Sequence, residues 1–267
     1  MTKTRWAITS FLRLLLRLIL IAPLLLFIAY GFSTRWFFPA PFPTEWTTST
    51  LDRALNDSRT LTGLRDGLTI AVIVSLLSLL LAFPAARAMG LRQFKGRQLA
   101  WLFLFLPTVV PPLAIGMGLN ILFLQLGLAG TIFGVVLAHL IPTLPYTIFT
   151  LSSAFARYDE NFEHQALALG ASPLQIFVNV TLRMMTPSLV VATLFAFLIS
   201  WSQYLLTLLI GGGKIITLPI LLFAAASGGN PSTIGIQSLL FVLPPVLVIA
   251  FTARELTRHG EDIKEQY

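Results

Sequence analysis

The sequence predicts an all-α integral membrane protein: six transmembrane helices, both termini on the cytoplasmic side, and a short cytoplasmic helix pair between spans 4 and 5. Three observations predict it. First, 56% of the 267 residues are hydrophobic and only 11% are charged, too little charge to cover a soluble domain of this length. Second, the apolar residues gather in six runs, each near the ~20 residues that carry a helix across ~30 Å of hydrocarbon. None of these runs alternates as a barrel strand does, and only helices or closed barrels satisfy the backbone inside a bilayer. Third, the basic residues fall mainly on one side of the runs.

Taken in order, residues 1–17 carry Lys3, Arg5, Arg13 and Arg17 ahead of an apolar run, the first span, at about 12–32. Ala29-Tyr30-Gly31 offers a small-x-small cleavage site, but an uncleaved span is preferred because more spans follow. Residues 33–63 form the longest polar stretch, rich in Pro, Thr and Trp. The second span is expected at about 64–86, followed by a short basic loop from Arg87 to Arg97. A third span is expected at about 99–124, a tight turn at Gly127–Gly130, and a fourth span at about 131–151. The region 155–187 is polar and amphipathic, the fifth span covers about 188–210, residues 211–231 read as a Gly-rich loop, and the sixth span covers about 232–253. The whole of 1–267 reads as a single transmembrane domain, with no room for a large soluble ATP-binding domain as well.

Lys and Arg set the orientation. With the N-terminus inside, thirteen of the eighteen fall on the inner side, including Arg87, Arg92, Lys95, Arg97, Arg157, Arg183, Arg254, Arg258 and Lys264. The outer side keeps Arg35, Arg53, Arg59, Arg65 and Lys214. That bias gives an N-in, C-in topology. The net charge of +7 is thus a topology and lipid-headgroup signal, and no aromatic-interleaved basic face points to nucleic acid. With no cysteine in the chain, disulfide frameworks and thiolate metal sites are excluded.

The segment Asn161–Gln175 carries the clearest local grammar. Phe162, Ala166 and Leu169 are spaced as one helical face. Gly170 can end that helix in the left-handed conformation. Ser172 then reads as an N-cap, Pro173 as the first helical residue and Gln175 as the third, a capping box. Two short helices are expected to meet at a tight corner. The corner suits docking by something outside the membrane; the alternative is a solvated loop helix resting on the bilayer.

The same segment resembles the coupling motif of binding-protein-dependent ABC importer permeases: Glu-Ala-Ala, three residues, Gly, nine residues, then Ile-x-Leu-Pro. Set on Gly170, Ala166 matches the second Ala, Val180 the Ile and Leu182 the Leu. His164 stands where Glu is usual, with Glu163 one residue earlier. Gln165 replaces the first Ala, and Arg183 replaces the Pro. The resemblance is to the spermidine/putrescine, iron(III) and thiamine group and extends over nearly the whole chain.

Inside the membrane, Pro107, Pro111 and Pro112 interrupt the third span, with Gly116 and Gly118 beyond. Such backbone is tolerated at depth where it is buried in protein or lines a cavity. A bent, gate-forming helix is expected, a simple packing kink being the alternative. Leu106-Pro107 to Pro111 also resembles the Leu-Pro-x-x-x-Pro stretch of spermidine/putrescine-type permeases. His139 in the fourth span is an intramembrane ionisable group, read here as a structural histidine hydrogen-bonded across a helix interface. Ser200, Trp201, Ser202 and Gln203 place polar and aromatic groups in the fifth span as candidates for the translocation path, or else for an interfacial belt. Polyamine members commonly have Ser-Phe-Asp-Glu at this place, and loss of both acids weakens the case for a polycation.

The resemblance implies a permease subunit of an ATP-driven importer in the bacterial cytoplasmic (inner) membrane. It implies a second permease subunit, identical or different, two ABC ATPase subunits and an extracytoplasmic solute-binding protein. The solute would be polyamine-like, a metal, thiamine-like or related. This chain would bind no cofactor, ATP-Mg being held by the ATPases, and would not itself be an enzyme. Contact with the ATPase would fall on Glu163, His164, Ala166, Leu169, Gly170, Ala171, Ser172, Pro173 and Leu174. A stand-alone secondary transporter is the alternative, with His139 as its candidate ion-coupling group. A membrane enzyme is disfavoured because the sequence has no Walker A loop, no His-Glu-x-x-His and no clustered histidines.

Overall fold

The computed structural model describes residues 2–34, 36 and 40–264, and the side chains among them from 10 to 254. Arg35 therefore lies outside the described residues, as do the side chains of Lys3, Arg5, Arg258 and Lys264. In chain order the helices are α1 (Thr2–Gly31), α2 (Ser49–Asn56), α3 (Ser58–Leu91), α4 (Arg97–Val109), α5 (Pro112–Gln125) and α6 (Ile132–Phe155). They continue with α7 (Asn161–Ala168), α8 (Pro173–Ile176), a π-helical turn (Phe177–Leu182), α9 (Arg183–Trp201), α10 (Leu205–Gly211), α11 (Leu218–Gly228) and α12 (Pro231–Lys264). Among the described residues the extended pairing is a single isolated antiparallel bridge between Ser33 and Trp46.

Among the described residues, five stretches are long and apolar enough to cross a membrane: Ser10–Gly31, α3, α6, Pro173–Trp201 and Pro231–Arg254. The pair α4 and α5 supplies the sixth if it counts as one span, and it is bent by 97°. Exposed leucines and phenylalanines along these helices, such as Leu20, Leu80, Leu102 and Phe103, form a surface suited to lipid.

Several boundaries differ from the sequence reading. The third span is two helices rather than one, because Pro111 and Pro112 cannot donate to the preceding turn and Val110 is extended. The second helix of the corner is not short. From Pro173 the chain stays helical through Trp201, with Pro187 tolerated inside α9, so the fifth span starts some fifteen residues earlier than the expected 188. It also ends earlier, at Trp201, and α10 follows after a break. The region 211–231 is not all loop: the apolar run after Ile216 forms α11. In the expected polar stretch, α2 forms and α3 begins at Ser58. The helix α3 also runs through Arg87 to Leu91, so the basic loop is shorter than expected.

The chain divides into two compact units: the described residues of Met1–Leu64 with Leu218–Pro244, and those of Arg65–Thr217 with Pro245–Tyr267. In the first, α1 and α12 meet backbone to backbone. A Cβ on Gly235 would collide with the Gly31 nitrogen and sit 2.7 Å from the Phe27 oxygen. Small residues of this kind let membrane helices approach closely. The Ser232 hydroxyl donates to the Ser33 carbonyl at 2.5 Å, tying the start of α12 to the chain leaving α1.

In the second unit α6 is the central helix. One face packs Val135, Val136 and Leu140 against Ile70, Val74, Leu206 and Ile210. Further along, Leu151 and Phe155 pack with Ala82, Ala86, Met185 and Ala192. Two buried threonines of α6 are satisfied within the helix: the Thr143 hydroxyl donates to His139 O at 2.6 Å and the Thr147 hydroxyl to Thr143 O at 3.0 Å. That back-bonding lets threonine sit in an apolar helix without an orphan donor.

Candidate functional site

The corner between α6 and α9 is closed by its own backbone. At the end of α7, Ala171 N–H donates to Ala166 O at 3.1 Å and Gly170 N–H to Leu167 O at 3.0 Å. These two bonds make a Schellman motif. It needs Gly170 at φ +85°, where a side chain would be strained. The next helix starts at once. The Gln175 N–H donates to Ser172 Oγ at 3.4 Å, the Ser172 N–H donates to Gln175 Oε1 at 2.7 Å, and Pro173 takes the first helical position. Substituting Ser172 with alanine removes one side of this box and is expected to cost about 1 kcal/mol of local stability. Faster hydrogen exchange at Gln175 N–H, with no change in α9, is the result to look for.

Glu163 fastens this corner to the rest of the unit. Arg87, near the end of α3, donates to Glu163 Oε2 at 2.6 Å. Tyr158 and Thr181 donate their hydroxyls to Glu163 Oε1 at 2.7 and 2.8 Å. The carboxylate side chain is only 15% exposed. Burial opposes its ionisation, but the hydrogen bonds from Arg87, Tyr158 and Thr181 outweigh it and hold its pKa below the ordinary value of 4.5. Burial pushes the Tyr158 phenol up to about 12, helped by its bond to the Glu163 anion. A second pair, Arg92 to Glu160 at 2.9 Å, lies further out.

The nine corner residues therefore divide. Glu163 turns inward and is held, while Ala166 and Ala171 are half-buried. His164, Gly170, Ser172 and Pro173 are exposed. Leu169 is 88% exposed, and Leu167 and Leu174 project similarly. The sequence reading missed Arg87, Tyr158 and Thr181 as members of this cluster. Arg87 carried one signal, a charge at the end of an apolar run, and was read as part of a solvated loop. Thr181 carried none.

A second group of candidates lies at depth. Pro107 sits inside α4, half-buried, while Pro111 and Pro112 form the exposed elbow ahead of α5. The residues Ser200 to Gln203 differ in exposure. Ser200 and Trp201 are buried, Trp201 stacking on Phe197 at 6.0 Å and facing Gly67. Ser202 is exposed and Gln203 half-buried, in the break between α9 and α10. His139 spans that break, with ring nitrogens 3.0 Å from Ser200 Oγ and 3.0 Å from Thr207 Oγ1. The Thr207 hydroxyl already donates to Gln203 O at 2.8 Å, so Nε2–H donates to Thr207 and Nδ1 accepts from Ser200. Both nitrogens are thus occupied in joining two helix ends, as the structural reading of this histidine expects.

A sequence profile described as "Binding-protein-dependent transport system inner membrane component" matches residues 78–258. The chain is 27% identical over 255 residues to the putrescine transport system permease protein PotI of Escherichia coli K12, covering 91% of this chain and 88% of that one. It is 28% identical over 245 residues to the putative 2-aminoethylphosphonate transport system permease protein PhnV of Salmonella typhimurium LT2, covering 90% of each. In fold it is similar to a chain of a bacterial ABC transporter involved in import of the acidic polysaccharide alginate. The TM-score is 0.74 at 18% identity, over 94% of this chain and 96% of the other. With the profile spanning well over half its length, and apolar helices enough for repeated membrane crossing, the chain belongs to the binding-protein-dependent ABC permeases and is a multi-pass membrane transport component, not an enzyme.

Proposed function

We propose that the chain is the permease subunit of an ATP-driven importer and moves a small solute inward by alternating access. In this reading it has six spans with both termini inside, and the corner at Glu163–Leu174 faces the cytoplasm. It pairs with a second permease, the same or different, above two ATPase subunits, in the bacterial inner membrane. A solute-binding protein delivers the cargo from outside.

The observation that carries the reading is the corner itself. Three leucines are exposed, Leu167 and Leu169 outside any span and Leu174 in the first turn of the fifth, on a turn whose backbone bonds are internally closed. Exposed apolar side chains on a stiff support mark a protein contact. Glu163 and its three donors give that contact a firm attachment to α3 and to the start of the fifth span, so force applied at the leucines reaches the helices instead of melting the loop.

Two experiments test it. The chain has no cysteine, so Leu169→Cys gives a unique thiol, which should cross-link to an engineered cysteine on the ATPase and respond to ATP. Labelling of that thiol by an impermeant reagent from outside the cell would refute the placement. Gly170→Val forces a β-branched side chain into φ +85°, a strain of about 1–3 kcal/mol. Its expected result is ATP hydrolysis that continues while uptake falls. Wild-type uptake would remove the lever from the mechanism.

A further inference from the structure

Away from the corner, in the first unit, α2, the start of α3 and α12 line a half-open cavity of about 170 Å³. A water molecule's share of liquid volume is about 30 Å³, so the space admits several waters or a solute of a few heavy atoms. Its polar wall is Thr50, Arg53, Asp57, Thr60, Thr233 and Gln237.

Gln237 makes this more than a surface dent. It is only 7% exposed, yet its Oε1 has no hydrogen-bond partner. Its Nε2 donates to Thr60 Oγ1 at 3.1 Å, and the Thr60 hydroxyl in turn donates to Asp57 Oδ2 at 2.9 Å. Flipping the amide does not help. The Thr60 proton can go to Asp57 or to Gln237 but not both, so one polar atom stays open. A buried amide oxygen without a partner is costly, and such groups call for an occupant.

The charges around it are complementary and separate. Arg53 donates to Ser49 O and to Thr50 Oγ1 at 3.1 and 3.2 Å, leaving other guanidinium N–H groups unused. Asp57 accepts from the backbone of Arg59 and Thr60 at the head of α3. Local tethers thus hold the two apart, and among the described residues they form no ion pair with each other. The wall offers a donor fork at one end and a carboxylate with an open amide oxygen at the other.

We propose that this cavity binds a small zwitterion: an ammonium held by Asp57 and Gln237 Oε1, and an acid group a few bonds away held by Arg53. Ala54 and Ile236 supply an apolar side for the connecting carbons. The same chemistry can come from a free solute or from a phosphatidylethanolamine headgroup. The site requires no part of the ATPase reading.

The test is calorimetric titration of the purified full chain in detergent with phosphoethanolamine and with β-alanine, against ethanolamine and inorganic phosphate. Saturable binding of a zwitterion is expected, with each single-charge control at least about tenfold weaker, as the loss of one charge-assisted hydrogen-bonded partner implies. Arg53→Gln and Asp57→Asn should each weaken binding by about tenfold. Both sites are exposed, and asparagine still caps a helix, so unchanged melting temperatures are expected alongside. If β-alanine binds, the source is a soluble solute. If only phosphoethanolamine binds, and phosphatidylethanolamine nanodiscs abolish the signal, the source is the lipid. Equal binding of ethanolamine, binding unaffected by either substitution, or no saturable binding of any zwitterion would each overturn the proposal.

Discussion

Replacing Glu163 with alanine is expected to lower stability by about 2–3 kcal/mol and to depress uptake sharply, with ATP hydrolysis less affected. The substitution strips three donors of their common acceptor. Thr181 is fully buried, and Tyr158 is partly covered by Phe155, 5.8 Å away between ring centres. Arg87 keeps its charge with no counter-charge. Breaking a fully buried ion pair costs about 3–5 kcal/mol; the Arg87 side chain is 32% exposed, so water recovers part of that. Thermal unfolding of the purified protein measures the loss. Tyr158→Phe, which keeps the Arg87 pair and removes one hydrogen bond, should cost about 1 kcal/mol. Equal melting temperatures for Glu163→Ala and wild type would show that the carboxylate is not the fastening.

The same cluster sets a pH window. The folded-state pKa of Glu163 is depressed, so its stabilisation is fully present above the ordinary carboxylate value and is lost as pH falls through the folded value. Tyr158 is raised from 10.0 to about 12, so its contribution is intact below pH 10 and lost as pH climbs through 12. The stability difference between wild type and Glu163→Ala should be flat near neutral pH and shrink on acidification.

The second large effect is expected at Gly90. A Cβ there would lie 2.5 Å from the Phe155 Cβ and 2.7 Å from the Ser152 oxygen. Backbone cannot rotate out of the way as a side-chain tip can. Gly90→Val should therefore separate α3 from α6 beside the apolar cluster of Leu151 and Phe155, at a cost of about 3 kcal/mol. Since Arg87 lies one turn away on the same helix, its reach to Glu163 should lengthen as well. The variant is expected to melt far below wild type and to lose its hydrogen-exchange protection first at Phe155 and Ser152. Gly90→Ala should show the same pattern in weaker form. Wild-type melting for Gly90→Val would mean that α3 and α6 are free to part at this level.

What the sequence disclosed, and what it hid, follows the range of the interactions. The cap at Ser172–Gln175 and the reversal at Gly170 depend on residues within five positions of each other, so the pattern was legible before any fold was known. The ionic partner of Glu163 is 76 residues away, and no local pattern pairs Arg87 with it. The break at Ser202–Tyr204 was hidden for a related reason. Its polar residues read as candidates for a path lining, and no local pattern showed that His139, from a different helix, bridges the break. The helix α11 was missed because three glycines at 211–213 and two at 228–229 read as one flexible stretch, although the residues between them are apolar enough for a helix. Prolines did signal the elbow of α4 and α5, but not its size, since proline removes a bond without fixing the angle that neighbours then impose.

The π-helical turn at Phe177–Leu182 has a consequence for register. Such a turn holds one residue more than an α-helix of the same rise. Winding the same six residues as an unbroken α-helix would take up that extra residue and rotate everything before it by about 100° relative to everything after it. The three leucines of the corner would then point along a new bearing with no loss of helical content. The azimuth of the corner about its own span is thus set by one surplus amino acid.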